Sequence, residues 1–176
     1  MIHMGTITLI TGGARSGKSM QALKLAFPYQ RKFFVATGEA LDDEMTARIQ
    51  FHRTTRPPDF QTVEEPVNVV GAIERLGKTA DLVVIDCLTL WISNLMQRNG
   101  VDDGEVLGEA DKLAAALREA LFASIVVTDE VGSGIVPTDH AESRRFRDLL
   151  GWTNQKVAAV ADQVIMMVAG YPLAVK

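Results

Sequence analysis

The chain has 176 residues, of which 47% are hydrophobic, and a net charge of −4 at pH 7. A chain of this length and content fits a single domain, residues 1–176, with a full hydrophobic core. The net negative charge argues against a nucleic-acid or membrane surface as partner and favours small soluble ligands. One cysteine and three dispersed histidines exclude an internal disulfide and show no zinc-ligand pattern.

The N-terminal sequence, MIHMGTITLIT, lacks the pattern of a signal peptide and predicts a short strand that leads into a glycine-rich loop. A membrane-spanning helix needs about 18 consecutive apolar residues, and the sequence contains no such run. The lone Cys87 suits a reducing compartment. Together these features predict a cytoplasmic protein without a membrane span.

Valine- and isoleucine-rich runs alternate with longer stretches of helical period along the chain. This alternation predicts an α/β fold in which helices cover both faces of a mostly parallel central sheet. The predicted strands are Thr6–Thr11, Lys32–Ala36, Gln61–Glu64, Leu82–Asp86, Ser124–Thr128 and Gln163–Val168, with a short edge strand near the C-terminus. The predicted helices are Lys18–Ala26, Asp42–Thr54, Val67–Leu76, Leu88–Met96, Val106–Leu121 and Ser143–Ala161.

Two features refine this outline. Turn residues predict loops at Gly100–Gly104 and Gly132–His140. The helix predicted at Val106–Leu121 has an apolar face that should pack on the sheet. That face consists of Leu107, Ala110, Leu113, Leu117 and Leu121.

A complete G-x-x-x-x-G-K-[ST] phosphate-loop motif stands between the first predicted strand and the first predicted helix. Its residues are Gly12, Gly13, Ala14, Arg15, Ser16, Gly17, Lys18 and Ser19. Its glycines let backbone N–H groups approach phosphate oxygens at the positive end of a helix. We expect Lys18 to contact the β- and γ-phosphates of GTP or ATP, and Ser19 to bind Mg²⁺. The motif therefore predicts a P-loop NTPase-like three-layer fold.

Asp86 ends an apolar run, DLVVID at residues 81–86, that predicts a buried strand. P-loop proteins place a carboxylate that organises Mg²⁺ at such a strand end. Taken alone, the residue fits a strand-end cap equally well. Beside the phosphate loop, we predict that Asp86 binds Mg²⁺ together with Ser19.

His52 admits two interpretations. Met45, Ile49 and His52 follow spacings of four and three, so they share one helix face and can pack against the core. Alternatively, a neutral imidazole is a good nucleophile near pH 7 and can displace pyrophosphate from an α-phosphate. Arg53 and Arg56 then neutralise phosphate charge, or else only complement the helix dipole.

Five segments resemble the bifunctional adenosylcobinamide kinase and adenosylcobinamide-phosphate guanylyltransferase family. They are TGGARSGKS at Thr11–Ser19, LDDEMTARIQFHRTTRP at Leu41–Pro57, LVVIDCLTLWISNL at Leu82–Leu95, VTDEVGSGIVP at Val127–Pro137 and RRFRDLLGWTNQKVAAVADQVIMMVAG at Arg144–Gly170. The resemblance covers nearly the whole chain in order. Such coverage is more specific than the phosphate loop alone.

The resemblance implies a two-step role in cobalamin biosynthesis: phosphorylation of adenosylcobinamide, then transfer of GMP from GTP onto that phosphate. It implies that the second step passes through a guanylylated His52, and that the enzyme is a homotrimer. Besides the phosphate loop, the positions that it implies around the nucleotide are Ala36, Thr37, Gly38, Arg53, Thr54, Thr55, Arg56, Glu64 and Asp86.

Two residues depart from the pattern of many relatives. Phe51 replaces a second histidine found in some of them, so His52 is the only histidine in this segment that can be assigned as the nucleophile. Asp129 replaces an asparagine, which leaves the role of the loop that follows open. The preference for GTP also comes from the resemblance, because the run Thr153–Lys156 fits a helix better than a guanine signature.

Two alternative functions remain compatible with the residues. One is a simple P-loop kinase of a small molecule, in which His52 is a packing residue and no covalent adduct forms. The other is a nucleotide-dependent regulatory protein that acts through a partner. The residues do not define a corrinoid surface, and for Trp91 and Met96 we favour a place in the core or at a subunit interface over a corrinoid contact.

Overall fold

The structure is a computed structural model that describes residues 5–98, 100–134 and 136–176. Its strands are β1 (Ile7–Gly12), β2 (Lys32–Ala36), β3 (Phe60–Glu64), β4 (Leu82–Asp86), β5 (Ala123–Val127), β6 (Gln163–Val168) and β7 (Tyr171–Ala174). Its helices are α1 (Lys18–Ala26), α2 (Asp43–Thr55), α3 (Val69–Leu76), α4 (Leu88–Met96), α5 (Asp103–Glu119) and α6 (Ala141–Val160). Residues 1–4 of the predicted N-terminal segment, and residue 135 of the predicted loop Gly132–His140, lie outside the described residues.

The strands form one sheet in the order β3-β2-β4-β5-β1-β6-β7. Strands β1 to β6 pair in parallel, and β7 pairs antiparallel with β6. In register, Ala36 lies opposite Asp86, and Asp86 lies opposite Val127. Because parallel strands share a direction, the loops that follow β1, β2, β4 and β5 meet at one edge of the sheet. That edge is where a ligand is expected to bind.

Alternate residues of the strands face two separate hydrophobic cores. Val83 and Ile85 of β4 pack with α3 to α6 on one face. Leu82 and Val84 pack with Ala22 of α1 on the other. These four residues of β4 are fully buried, as expected for a strand covered on both sides. The predicted mostly parallel sheet with helices on both faces is confirmed.

Helix α5 begins at Asp103, before the predicted start at Val106. The Asp102 carboxylate accepts a hydrogen bond from the Glu105 N–H at 2.8 Å, and the Glu105 carboxylate accepts one from the Asp102 N–H at 3.0 Å. This capping box stabilises the first turn. The prediction that the loop extends to Gly104 was therefore wrong.

The same helix ends at Glu119, so the predicted end at Leu121 was wrong as well. Leu121 lies beyond the helix and is 59% exposed, which removes it from the predicted apolar face. Leu107 is only partly buried. The face that packs on the core consists of Val106, Ala110, Leu113, Ala114 and Leu117.

The bounds of β2, β4, β6, α1 and α4 are as predicted, and the other boundaries differ by one or two residues, as is common at element ends. Trp91 is fully buried, and its indole N–H donates to the carbonyl of Val67 at 2.8 Å. It therefore belongs to the core, as favoured from the sequence. The run Thr153–Lys156 lies inside α6, as predicted. Among the described helices, none has the length and apolar character that crossing a membrane requires.

Candidate nucleotide site

The phosphate loop connects β1 to α1 at the edge where the strand ends converge. Gly12 and Gly17 have φ angles of 145° and 101°, which residues with a side chain rarely adopt. A Cβ on Gly12 would lie 2.5 Å from the Met167 carbonyl oxygen, and one on Gly17 would lie 3.3 Å from the Cα of Gly170. Both positions therefore require glycine for backbone angle and for space.

The N-terminus of α1 is available to an anion. Gly17 is its N-cap, and its first turn contains no acidic residue within the described chain. The free N–H groups and the positive end of the helix dipole thus face the loop. The Ser16 hydroxyl is buried and has no hydrogen-bond partner among the described residues. A bound phosphate is the kind of ligand that would satisfy such groups.

The turn between β6 and β7 supports the phosphate loop from behind. Ala169 and Gly170 form this turn with φ angles of 50° and 88°. The Gly170 N–H donates to the Ser16 carbonyl at 2.9 Å. The C-terminal hairpin therefore helps to set the shape of a loop that lies at the other end of the sequence.

Lys18 is held at the centre of the loop by three oxygen atoms. Its ammonium donates to the carbonyls of Gly12 and Gly13 at 2.9 and 2.7 Å. The third partner is a carboxylate oxygen of Asp129, at 2.6 Å. The side chain of Lys18 is only 10% exposed. These contacts place a positive charge where the motif predicts contact with the β- and γ-phosphates.

Asp86 reaches the same space from the end of β4. Burial raises the pKa of its carboxyl group. Coulombic interactions with His52 in its protonated form, with Arg56 and with Lys18 lower that pKa, whereas the negative charge of Asp129 raises it. A cation bound beside Asp86 would therefore stabilise its ionised form.

The oxygen donors of this site fit Mg²⁺ that arrives with a nucleotide. Within the described residues, no group of three or more His, Cys, Asp or Glu side chains forms a metal site by itself. Mg²⁺ in phosphoryl-transfer sites is held by one or two protein oxygens plus phosphates and waters. The Ser19 hydroxyl and the Asp86 carboxylate both line the cavity and are such a pair.

Cys87 follows Asp86 and is a second potential nucleophile in the cavity. Burial raises the pKa of its thiol to about 12, and the charge of Asp86 acts in the same direction. The thiol therefore stays protonated near neutral pH. Because the thiolate is the reactive form, Cys87 is a poor nucleophile in this cavity.

Helix α2 forms one wall of the cavity and exposes His52. None of the residues of α2 is buried. Met45 and Ile49 are half-buried, whereas His52 is exposed and lines the cavity next to Phe51. The interpretation of His52 as a packing residue is therefore wrong. The imidazole is accessible to a ligand in the cavity.

Two arginines at the end of α2 are oriented by β2 and β3. The Arg56 guanidinium lies 3.5 Å above the centre of the Phe34 ring and donates to the Thr62 hydroxyl at 2.6 Å. Arg53 forms an ion pair with Glu64. Burial lowers the pKa of Arg56, and nearby Asp86 raises it. Guanidinium groups stay protonated, so both arginines supply fixed positive charge.

These groups surround one cavity of about 750 Å³. The predicted site residues that line it are Ala14, Arg15, Ser16, Gly17, Lys18, Ser19, Ala36, Gly38, His52, Arg53, Arg56, Glu64 and Asp86. The structure thus brings together segments that are far apart in sequence. The volume lies in the range of small-molecule and nucleotide pockets.

The remaining predicted residues lie outside the lining. Gly12 and Gly13 contribute the carbonyls that hold Lys18. Thr37 is fully buried behind the cavity wall, where its hydroxyl bonds to the backbone of Cys87. The hydroxyls of Thr54 and Thr55 donate to the carbonyl of Phe51 within α2. The side chains of the three threonines are thus used for local structure.

Sequence reasoning did not assign Phe34, Thr62 or Asp129 to the site, although all three line the cavity. Asp129 comes two residues after the last residue of β5, so its position at a parallel strand end was a usable signal. Phe34 and Thr62 sit within strands. Their role depends on the position of Arg56, which the sequence does not give.

Comparisons with known proteins agree with this geometry. The model of the family described as "Cobinamide kinase / cobinamide phosphate guanyltransferase" matches residues 8–175. The chain belongs to this family. It is 39% identical over 170 residues to the bifunctional adenosylcobalamin biosynthesis protein CobP of Pseudomonas aeruginosa, covering 96% of both chains. It is 36% identical over 179 residues to the protein CobU of Escherichia coli, covering 96% of this chain and 98% of that one.

The solved structures support the fold assignment. The crystal structure of the RadB recombinase matches with a TM-score of 0.50 and 16% identity. The match covers 94% of this chain and 75% of that one. At this identity the likeness concerns the fold alone. The predicted P-loop NTPase-like three-layer architecture is confirmed.

Proposed function

We propose that this member of the cobinamide kinase family phosphorylates adenosylcobinamide and then transfers GMP from GTP to adenosylcobinamide phosphate. The observation that carries the proposal is the presence of His52 and the phosphate loop in the lining of one cavity. A simple P-loop kinase needs only the loop. An exposed imidazole facing the same cavity supplies what a covalent nucleotidyl transfer requires in addition.

The nucleotide binds with its phosphates on the backbone N–H groups at the start of α1 and on the Lys18 ammonium. Arg53 and Arg56 hold positive charge on the opposite wall, near His52. Ser19 and Asp86 are the residues that hold Mg²⁺. When bound, Mg²⁺ neutralises charge that develops on the phosphate oxygens.

Guanylyl transfer then proceeds in two displacements. A nitrogen of the His52 imidazole attacks the α-phosphorus of GTP, a P–N bond forms, and the bond to pyrophosphate breaks. A phosphate oxygen of adenosylcobinamide phosphate next attacks the same phosphorus. The P–N bond breaks, His52 is released, and adenosylcobinamide-GDP leaves. Lys18 and the arginines stabilise the negative charge of both transition states.

The kinase step uses the same cavity with a different part of the triphosphate. The hydroxyl of adenosylcobinamide attacks the γ-phosphorus of ATP or GTP, and the nucleoside diphosphate leaves. His52 takes no part in this step. The two activities are therefore separable by mutation of His52.

Further parts of the proposal concern assembly and location. We infer that residues 1–176 act as one catalytic domain within a homotrimer, in the cytoplasm, with no nucleic-acid partner. Phe51 and Leu41 are 64% and 67% exposed beside the candidate site. Contact between subunits is one way of covering these apolar side chains.

The test is incubation of the purified protein with Mg²⁺ and α-labelled GTP, followed by denaturation and intact-mass analysis. We expect a GMP-sized adduct in the parent protein and none in His52→Ala. The control is His140→Ala, which removes another exposed histidine at the start of α6 and should keep the adduct. An adduct that persists in His52→Ala would overturn the covalent mechanism.

Absence of any adduct in a parent protein that binds GTP would instead favour the simple kinase. That function predicts transfer of the γ-phosphoryl group to adenosylcobinamide without labelling from the α-phosphate. A regulatory protein would show neither transfer. GTP labelled at the α-phosphate and GTP labelled at the γ-phosphate thus give a different pair of results for each of the three functions.

A further inference from the structure

Asp129 lies in the candidate site but has no role in the proposed reaction so far. It follows β5, next to the strand that ends in Asp86. Its carboxylate forms an ion pair of 2.6 Å with the Lys18 ammonium. The side chains of Asp129 and Lys18 are 27% and 10% exposed, so solvent screens this pair less than a surface pair.

The backbone of Asp129 is fixed by two helices. Its N–H donates to the Thr89 hydroxyl of α4 at 2.9 Å, and its carbonyl accepts from the Asn154 amide of α6 at 3.2 Å. Asn154 in turn accepts from the Thr128 hydroxyl at 2.7 Å. The carboxylate is therefore presented to Lys18 by a rigid support.

The three donors of the Lys18 ammonium are all in use. Two donate to the backbone carbonyls of Gly12 and Gly13, and the third contacts Asp129. An ammonium has three N–H donors and no more. A phosphate that binds Lys18 must therefore replace one of these partners or share the ammonium with it.

A triphosphate then brings more negative charge to the place where the carboxylates of Asp86 and Asp129 lie near Lys18. Lys18 is already paired with Asp129, and Arg53 is already paired with Glu64, so these cations do not balance the added charge by themselves. A divalent cation that binds with the nucleotide restores the balance, whereas a triphosphate without the cation is repelled by Asp129. The Asp129 carboxylate thus lowers the affinity for the metal-free nucleotide more than the affinity for its metal complex.

We propose that Asp129 makes nucleotide binding conditional on the divalent cation, so that the site selects the Mg²⁺ complex of the triphosphate over the free triphosphate. This proposal rests on the proposed nucleotide site. It assigns to Asp129 a specificity role, distinct from the metal-binding roles proposed for Ser19 and Asp86. The asparagine variant keeps the shape of the side chain and removes its charge.

The experiment measures binding of α,β-methylene GTP, which cannot lose pyrophosphate, by calorimetry at constant ionic strength. Each protein is titrated with the analogue twice, once in the presence of Mg²⁺ and once in the presence of EDTA. The quantity compared is the ratio of the EDTA Kd to the Mg²⁺ Kd. In Asp129→Asn we expect this ratio to fall about tenfold, chiefly because the EDTA Kd decreases.

Asp148→Asn is the matched control, since it removes the same charge from an exposed residue of α6 that pairs with Arg147. Its ratio should equal that of the parent. Asp129→Ser is a second variant that removes the charge without introducing an amide, and it should reproduce the fall. Circular dichroism establishes whether Asp129→Asn and Asp129→Ser are folded, and binding is measured on the folded variants.

Two results would overturn the role of Asp129 but leave the proposed nucleotide site intact. One is an unchanged ratio in the folded variant. The other is a ratio that falls because binding in Mg²⁺ weakens while binding in EDTA stays the same, which would make Asp129 a ligand of the cation. If the parent protein does not bind the analogue in Mg²⁺ at all, the nucleotide site itself fails, and this proposal fails with it.

Discussion

The Thr37 hydroxyl makes two hydrogen bonds to the backbone of Cys87: it accepts from the N–H and donates to the carbonyl, both at 2.8 Å. The Thr37 carbonyl accepts from the buried Asn94 amide at 2.7 Å. These bonds connect the end of β2 to the residue that follows Asp86. Thr37 therefore positions the Asp86 carboxylate without facing the cavity.

Replacing Thr37 with Val should reduce both stability and nucleotide binding. The substitution keeps the size of the side chain but leaves the N–H of Cys87 unpaired, which costs about 1–3 kcal/mol for a buried group. The Cys87 carbonyl loses the Thr37 hydroxyl but keeps its hydrogen bond from the Trp91 N–H at 3.1 Å. We expect the free energy of unfolding to fall by about 1–3 kcal/mol on this basis. Thr37→Ser keeps the hydroxyl and should lose less. Equal losses in the two variants, measured by urea denaturation, would contradict the positioning role.

A methyl group on Gly17 should weaken nucleotide binding more than one on Gly13. The Gly17 position has a φ of 101° and faces the Gly170 backbone, whereas a Cβ on Gly13 would meet nothing within 4 Å. We expect Gly17→Ala to lose about 1–2 kcal/mol of stability from its backbone angle. Gly13→Ala should unfold at nearly the parent temperature. Thermal unfolding of both variants, with and without GTP, is the measurement.

Replacing Trp91 with Phe should destabilise the core and leave ligand recognition intact. The change removes the indole N–H that bonds to Val67 and opens space in the core. We expect a loss of about 2–4 kcal/mol in the free energy of unfolding. Trp152→Phe, at a residue that is 47% exposed, is the matched control and should be nearly neutral. A loss of corrinoid binding in folded Trp91→Phe would contradict its assignment to the core.

The Arg31–Asp81 pair should contribute to stability above about pH 4. Hydrogen bonds from the Arg31 side chain and backbone hold the pKa of the Asp81 carboxyl below its ordinary value. A lowered pKa in the folded state means that the contribution is present above the unfolded pKa and is lost as the pH falls through the folded pKa. Asp81→Asn should therefore be less stable than the parent at pH 7, and the difference should shrink toward pH 3. A difference that stays constant across this range would contradict the linkage.

The fold could be predicted from the sequence because its strands are short apolar runs between amphipathic helices. Val83 and Val84 face opposite sides of the sheet and are both fully buried, so a continuous apolar run identifies the strand. The start of α5 was missed because the capping box of Asp102 and Glu105 lies before the first apolar residue of the helix. Polar capping signals are weaker than hydrophobic periodicity.

The candidate site could be predicted where a motif fixes spacing, as in the phosphate loop, or where a carboxylate ends a strand, as with Asp86. The exposure of His52 could not be predicted, because its spacing from Met45 and Ile49 is the same in a packed helix and in a helix that borders a cavity. The ion pair between Lys18 and Asp129 depends on the strand order β4-β5-β1. Strand order depends on the whole chain and cannot be predicted from the segments around Lys18 and Asp129.

The placement of β1 between β5 and β6 also has a consequence during synthesis on the ribosome. The phosphate-loop strand leaves the exit tunnel before its two neighbours in the sheet, which lie at Ala123–Val127 and Gln163–Val168. Until those segments emerge, the edges of β1 have no partners, and the Gly170 N–H cannot support the loop. Nascent chains should therefore gain affinity for GTP only after β6 and the turn at Ala169 and Gly170 have emerged, well after the phosphate loop itself.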